Sequence, residues 1–273
     1  MKDISFIKMH GLGNDFVVFD ARVLPIELDK DTISAISNRR TGVGCDQVIM
    51  LEAPHSQASD LFMRIYNADG SEVGACGNAT RCVADLVMDE MATSDAKIET
   101  KAGLLTAKRT ENGVTVNLGP AHDQWDDIPL TKEKNTLHLG ISEGVLSDPV
   151  CVNIGNPHLV YFVDNLESIP LAELGPKLEH NALFPERTNV ETVQVITKHH
   201  LRVNVWERGA GITRACGTGA CAALVAACRR GIAERCAKVE LPGGILEVKW
   251  LENNQVLMTG PTAISFTGIW HIL

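Results

Sequence analysis

Two cysteine-glycine segments stand 140 residues apart in matching surroundings, Ala75-Cys76-Gly77-Asn78-Ala79-Thr80 and Ala215-Cys216-Gly217-Thr218-Gly219-Ala220. Each opens a stretch that reads as a buried helix. A thiol at a helix start meets N–H groups without intrahelical partners and the positive end of the helix dipole. Both favour thiolate and lower the thiol pKa from its ordinary value of about 8.5. Two such thiols facing one site could serve as an acid and a base. Cys45, Cys82, Cys151, Cys221, Cys228 and Cys236 read instead as small buried apolar residues. There is no Cys-x-x-Cys pair, and the closest spacings lie inside expected helices, so no metal is expected.

The elements that position the cysteines are duplicated too. Residues 40–49 line up with 187–196 at an offset of 147, with six of ten positions identical. Residues 98–120 match 239–261 at an offset of 141, and Gly13-Asn14 answers Gly155-Asn156 at 142. Matches that keep their order along 273 residues indicate one gene-length repeat and two similar domains. The expected division is 1–122, joined by a C-terminal strand at about 264–273 and carrying Cys76, against 123–263, carrying Cys216. The site would lie in the cleft between them. The polar stretch 123–136, which contains Pro129, is expected to hold the crossing.

Short apolar runs at 4–9, 16–19, 62–66, 104–109 and 114–118, and again at 159–163, 193–196, 201–206, 245–250 and 256–258, read as strands. A turn is expected at Glu111-Asn112-Gly113. Helices are expected over 30–39, 77–91, 171–180 and 217–231. Residues 220–228 are apolar around the whole helical circumference and mostly small, so that helix must be enclosed on all sides. Arg229-Arg230 complements its negative end, and Gly231 can close it in a left-handed cap. The fold class is α+β: two pseudo-symmetric domains, each a strongly curved, mostly antiparallel sheet wrapped around a central buried helix.

A net charge of −9 with no basic stripe argues against a nucleic-acid partner. No apolar stretch approaches the roughly 20 residues that cross a bilayer, and no signal-type apolar core follows Met1. A cytoplasmic location with reduced thiols and no membrane partner is expected. Gly11-Leu12-Gly13 and Gly42-Val43-Gly44 lack the third glycine and helix of a dinucleotide fingerprint, so no nicotinamide site is expected.

Polar residues stand in otherwise apolar or glycine-rich company at Asn14, Asn67, Asn156, His158, Asn189 and Glu207-Arg208. A single Asn is more often a turn or cap. Register raises the joint odds, because Asn67 and Glu207 each lie nine residues before a cysteine of the pair. Gly209-Ala210-Gly211 after Arg208 permits close backbone approach to a ligand. His158 reads either as a structural hydrogen-bonder or as a group that tunes a nearby thiolate.

With these segments in place the chain resembles the diaminopimelate epimerases over essentially its full length. The resemblance is carried by residues 8–16 (KMHGLGNDF), 40–47 (RTGVGCDQ), 67–71 (NADGS), 76–78 (CGN), 155–158 (GNPH), 185–191 (PERTNVE), 206–211 (WERGAG) and 215–219 (ACGTG). Ala79 stands where glycine is common, and Ile212 where Glu often follows Gly-Ala-Gly. The resemblance implies cofactor-free interconversion of LL- and meso-diaminopimelate, for lysine and cell-wall synthesis, by a homodimer. It implies Cys76 and Cys216 as the catalytic pair. It also implies that Asn14, Gln47, Asn67, Asn156, Asn189, Glu207 and Arg208 hold the substrate, with Arg208 on a carboxylate and Glu207 near an ammonium group. Backbone N–H groups of Gly77-Asn78 and Gly217-Thr218 are candidates to meet negative charge on the reacting carboxylate. His158 and Glu207 would adjust the thiols.

Three rivals remain at this stage. A proline or hydroxyproline racemase keeps the scaffold with a shorter substrate. A thiol-disulfide redox protein would use the two cysteines as a couple. A noncatalytic binding module would tolerate loss of both.

Overall fold

The computed structural model describes residues 3–271. Its first elements are β1 (Asp3–Gly11), β2 (Asn14–Asp20), α1 (Lys30–Ser37), β3 (Gln47–Glu52), β4 (Leu61–Asn67), β5 (Glu72–Val73), α2 (Gly77–Glu90), β6 (Asp95–Thr100), β7 (Gly103–Thr110) and β8 (Gly113–Pro120). There follow β9 (Val150–Asn153), β10 (Pro157–Phe162), α3 (Leu171–Glu179), β11 (Asn189–Thr197), β12 (His200–Glu207) and β13 (Gly211–Thr213). The last are α4 (Gly217–Arg229), β14 (Cys236–Leu241), β15 (Gly244–Trp250), β16 (Gln255–Gly260) and β17 (Ala263–His271). One compact unit runs to Val116 and resumes at Gly260; the other is 117–259. The crossing thus falls inside β8, and residues 123–136, expected to contain it, belong to the second unit.

Each unit is built on the same ladder. In the first, β2 runs parallel to β3, β3 antiparallel to β4, β4 antiparallel to β5 and parallel to β6, and β6 antiparallel to β7. In the second, β10, β11, β12, β13, β14 and β15 repeat these relations in the same order. The first unit adds β1 beside β2 and β17 beside β1, both antiparallel.

The registers correct one sequence alignment. Val48 pairs with Val17 and Tyr66, while Val190 pairs with Leu159 and Trp206. Val48 is therefore equivalent to Val190 and Gln47 to Asn189, an offset of 142 and not the 147 suggested by the identical residues. The offset of 140 holds at the cysteines, since Leu61 and Leu201 occupy the same place in their ladders.

Each sheet is covered by one helix on either face. In the first unit Ile33 and Ile36 of α1 pack with Phe6, Val17, Phe19, Val48 and Met50. In the second Leu171, Leu174 and Leu178 of α3 pack with Leu159, Tyr161 and Val190. Strand alternation sends the intervening residues to the opposite face, toward the helix that each cysteine caps. There α4 packs against β9, β10, β11, β12, β14 and β15, and every residue from Ala220 to Ala227 is 0% exposed. The small side chains permit this enclosure. α2 is buried continuously from Gly77 to Ala84 and then only at Val87 and Met88.

Both cysteine-capped helices end in a Schellman motif. In α4 Gly231 donates to Cys228 O at 2.9 Å and Ile232 to Ala227 O at 3.0 Å, with Gly231 at φ +70°. In α2 the same bonds run from Ala92 to Asp89 and from Thr93 to Met88, but the left-handed residue is Ala92 at φ +52°. A Cβ in that conformation is strained where glycine is not. Ala92→Gly is expected to stabilise the protein by up to about 1 kcal/mol, read as a higher urea midpoint, and Gly231→Ala to destabilise it by a similar amount. An unchanged or lower midpoint for Ala92→Gly would contradict this account.

Candidate active site

In the first unit Cys76 is the N-cap of α2, in extended conformation and without a side-chain cap bond. Its carbonyl takes the first helical bond, from Thr80 N at 2.9 Å. Gly77 and Asn78 are the first two helical residues, whose N–H groups helix geometry leaves without intrahelical acceptors. Asn14 reaches this helix start from the β1–β2 hairpin, where Leu12 and Gly13, both at positive φ, make the two-residue turn. Asn78 Nδ2 donates to Asn14 Oδ1 at 3.0 Å, and Asn14 Nδ2 donates to Asp46 Oδ2 at 2.8 Å. Gln47, the next residue, lies opposite Asn67 on the ladder and donates to its Oδ1 at 3.1 Å. The unit thus links Asn14 to Asn78 in the first turn of α2, and Gln47 to Asn67 across the β3–β4 ladder.

A charged network that the sequence reading passed over fixes Asn14 from behind. Arg39 bridges Asp15 at 2.7 Å and Asp46 at 2.6 Å, and buried Lys8 contacts Asp15 at 2.6 Å and the Gly44 carbonyl. Burial would raise the Asp15 carboxyl, but Arg39 and Lys8 outweigh it and hold it at about 2. The signal available in sequence was the placement of Asp15 and Asp46 directly beside Asn14 and Gln47.

In the second unit Cys216 caps α4 in the same way, with its Sγ 3.6 Å from Thr218 Oγ1. Asn189 opens β11, donates to Pro157 O at 2.9 Å and accepts from Arg208 N at 2.9 Å, which fixes the start of the Glu207-Arg208 loop. The loop is anchored again by buried Glu179, which accepts from Trp206 Nε1 at 2.7 Å and Gly209 N at 3.1 Å. Arg208 is exposed and donates one guanidinium nitrogen to Glu186 O at 2.8 Å. His158 is 0% exposed, with Nδ1 2.7 Å from Glu191 Oε1 and Nε2 2.8 Å from Asn156 Oδ1.

Cys216 overturns the expectation that a helix start lowers its pKa. The thiol is 4% exposed, and burial pushes its pKa well above the ordinary thiol value, assisted by the nearby charges of Glu207 and Glu191. The hydrogen bonds from Thr218 and Gly219 N–H work in the other direction and are outweighed. These surroundings favour the protonated form of the Cys216 thiol. Beside Glu207 stands Glu191, a second carboxylate near this thiol that the sequence reading did not single out. Its signal in sequence was a lone carboxylate inside an apolar strand run.

A sequence model of the diaminopimelate epimerase family matches residues 6–123 and 150–264. The chain is 56% identical to a diaminopimelate epimerase of Rhodospirillum centenum over 96% of this chain and 91% of the relative. It is 49% identical to that of Acidiphilium cryptum over 96% and 95%. Among solved structures, a PhzF-family phenazine biosynthesis protein of Bacillus anthracis superposes with a TM-score of 0.70 at 18% identity, covering 100% of both chains. A hydroxyproline epimerase of Agrobacterium vitis gives 0.71 at 15%, covering 98% of this chain and 92% of the other. These two similarities establish the fold, whereas the racemase alternative finds no comparable support in sequence. Matched along both repeat units at nearly half identity or better, the chain belongs to the diaminopimelate epimerase family.

Proposed function

We propose that Cys76 and Cys216 are the base and acid of an inversion at one α-carbon of diaminopimelate, interconverting the LL and meso isomers without a cofactor. The protein is an amino-acid isomerase of its family. The observation that carries the two-thiol reading is the recurrence of a cysteine N-cap, at equivalent places in two repeated units, on helices buried from their first turn.

Inversion requires proton removal from one face of the carbon and delivery to the other. A thiolate takes the α-proton, the electron pair remains on the carbon and its carboxylate, and the second thiol returns a proton to the opposite face. The two sulfurs end with exchanged protonation states. Cys216, held protonated, is the donor for the isomer turned over first, and Cys76 is its base. A substrate ammonium beside Glu207 would offset the charge that opposes ionisation of Cys216, which opens the reverse direction. The N–H groups of Gly77, Asn78, Gly217 and Thr218 meet charge developing on the carboxylate. Asn14, Gln47, Asn67, Asn156 and Asn189 bind the polar ends, and Arg208 pairs with a carboxylate. A homodimer in the cytoplasm completes the reading, on the family resemblance.

Deuterium incorporation at Cα of LL-diaminopimelate in D2O, under reducing conditions, tests substrate and mechanism together. Conversion to the meso isomer should accompany exchange, and Cys76→Ala and Cys216→Ala should each lose about 10²- to 10⁴-fold in rate. A folded, reduced wild type that neither exchanges nor converts would refute the proposal. Arg208→Lys, which keeps the charge but not the planar fork, should raise KM at least about tenfold; a KM within twofold would remove Arg208 from the binding set.

A further inference from the structure

The buried carboxylate of Glu191 is unexplained by the roles given so far. Strand alternation on β11 puts Val190 among the α3 contacts and Glu191 on the face toward α4, between the sheet and the Cys216 helix start. The residue is 0% exposed. Burying an ionisable group this completely costs several kcal/mol unless its surroundings repay it, so a purely structural position would favour an apolar residue.

Two independent features locate its partners. Glu191 Oε1 lies 2.7 Å from His158 Nδ1, and the other nitrogen of that ring meets Asn156 at 2.8 Å, forming a chain from carboxylate to imidazole to amide. A Cβ placed on Gly219 would lie 3.0 Å from the same Oε1 and 3.3 Å from Cys216 Sγ, so only a glycine-sized gap separates carboxylate from thiol. Glu191 Oε2 is buried with no hydrogen-bond partner.

We propose that Glu191 is a positioning residue of the Cys216 half-site: its carboxylate holds the His158 ring by Nδ1, so aiming Nε2 at Asn156, and keeps a negative charge beside the Cys216 sulfur. The carboxylate–imidazole pair fixes ring orientation as such pairs do behind catalytic and metal-bound histidines. The ionisable groups facing Glu191 are His158 from β10, Glu207 from β12, Cys216 at the start of α4 and Cys151 from β9. Burial raises the Glu191 carboxyl and His158 opposes that shift. With Glu191 ionised, its charge adds to that of Glu207 in resisting loss of the Cys216 proton. Removing it must therefore move thiol ionisation to lower pH.

The role in turnover rests on the epimerase reading, but the thiol can be titrated without substrate. Thiolate ultraviolet absorbance of Cys216 is taken as the difference between each protein and the same protein carrying Cys216→Ala. In Glu191→Gln the midpoint should fall by about one pH unit, and kcat/KM for Cα exchange should drop at least about tenfold. Glu191→Asp keeps the charge but withdraws it from His158. Its midpoint should stay near that of wild type while KM rises, and this variant carries the test if Glu191→Gln does not fold. An unmoved midpoint in Glu191→Gln, or a KM within twofold of wild type in Glu191→Asp, would overturn the proposal. A shifted midpoint in a protein whose wild type exchanges no Cα proton would support Glu191 and count against the epimerase reading alone.

Discussion

Because residues 220–227 are enclosed on every side, α4 can present its backbone only at its two ends, and each end has a dedicated use. The C-terminal end is closed by the Gly231 cap and by Arg229, which reaches Cys151 O and Thr136 within the same unit. The N-terminal end is capped by a thiol, which takes the Gly219 N–H, rather than by the hydroxyl or carboxylate common at such positions. A helix start at the edge of a low-dielectric core concentrates positive potential around its capping residue. The first unit repeats the arrangement with α2 and Cys76. Strand order, the small residues of α4 and the hairpin turns serve to bring side chains to these two helix ends.

Much of this was legible in the chain because the repeat doubles every signal. The helix starts, the enclosed circumference of α4, its glycine cap and most strands are local patterns, each with a local cause. The alignment of 40–49 with 187–196 misled for an equally physical reason. Side chains on a strand alternate faces, so an error of five residues, being odd, turns every residue over. Gln47 was thereby matched to Gln194, near the distal end of β11, instead of to Asn189 at its start. Identity of letters is a weaker guide to equivalence than the hydrogen-bonded ladder.

The electrostatics were the least readable part. Proximity to a helix N-terminus contributes on the order of 0.3–1 kcal/mol, whereas full burial moves an ionisable group by several pKa units. For Cys216 the second effect prevails, with Glu191 and Glu207 adding to it. Glu191 is far from the thiol in sequence, and Glu207 stands on a different element nine residues before it. They arrive through β11 and β12, and their contribution exists only after those strands have paired. The Arg39–Asp15–Asp46 network behind Asn14 has the same character, since its members come from β2, the turn after α1 and the residue before β3.

The β17 strand makes the two units differ in the sequence separation over which their sheets are closed. It pairs with β1 over most of its length, from Asp3 opposite His271 to His10 opposite Ala263, and Phe6 packs against Gly268 and Phe266. The second unit is one continuous stretch and builds its ladder from its own residues. The first unit instead covers one edge of β1 with a strand that follows the second unit, in a pairing whose Asp3–His271 contact spans 268 residues. Closing so long a loop costs more chain entropy than any hairpin of the ladder, so the outer edge of β1, and not the strands that carry the Cys76 helix, is the part of the first unit whose pairing depends on the rest of the chain.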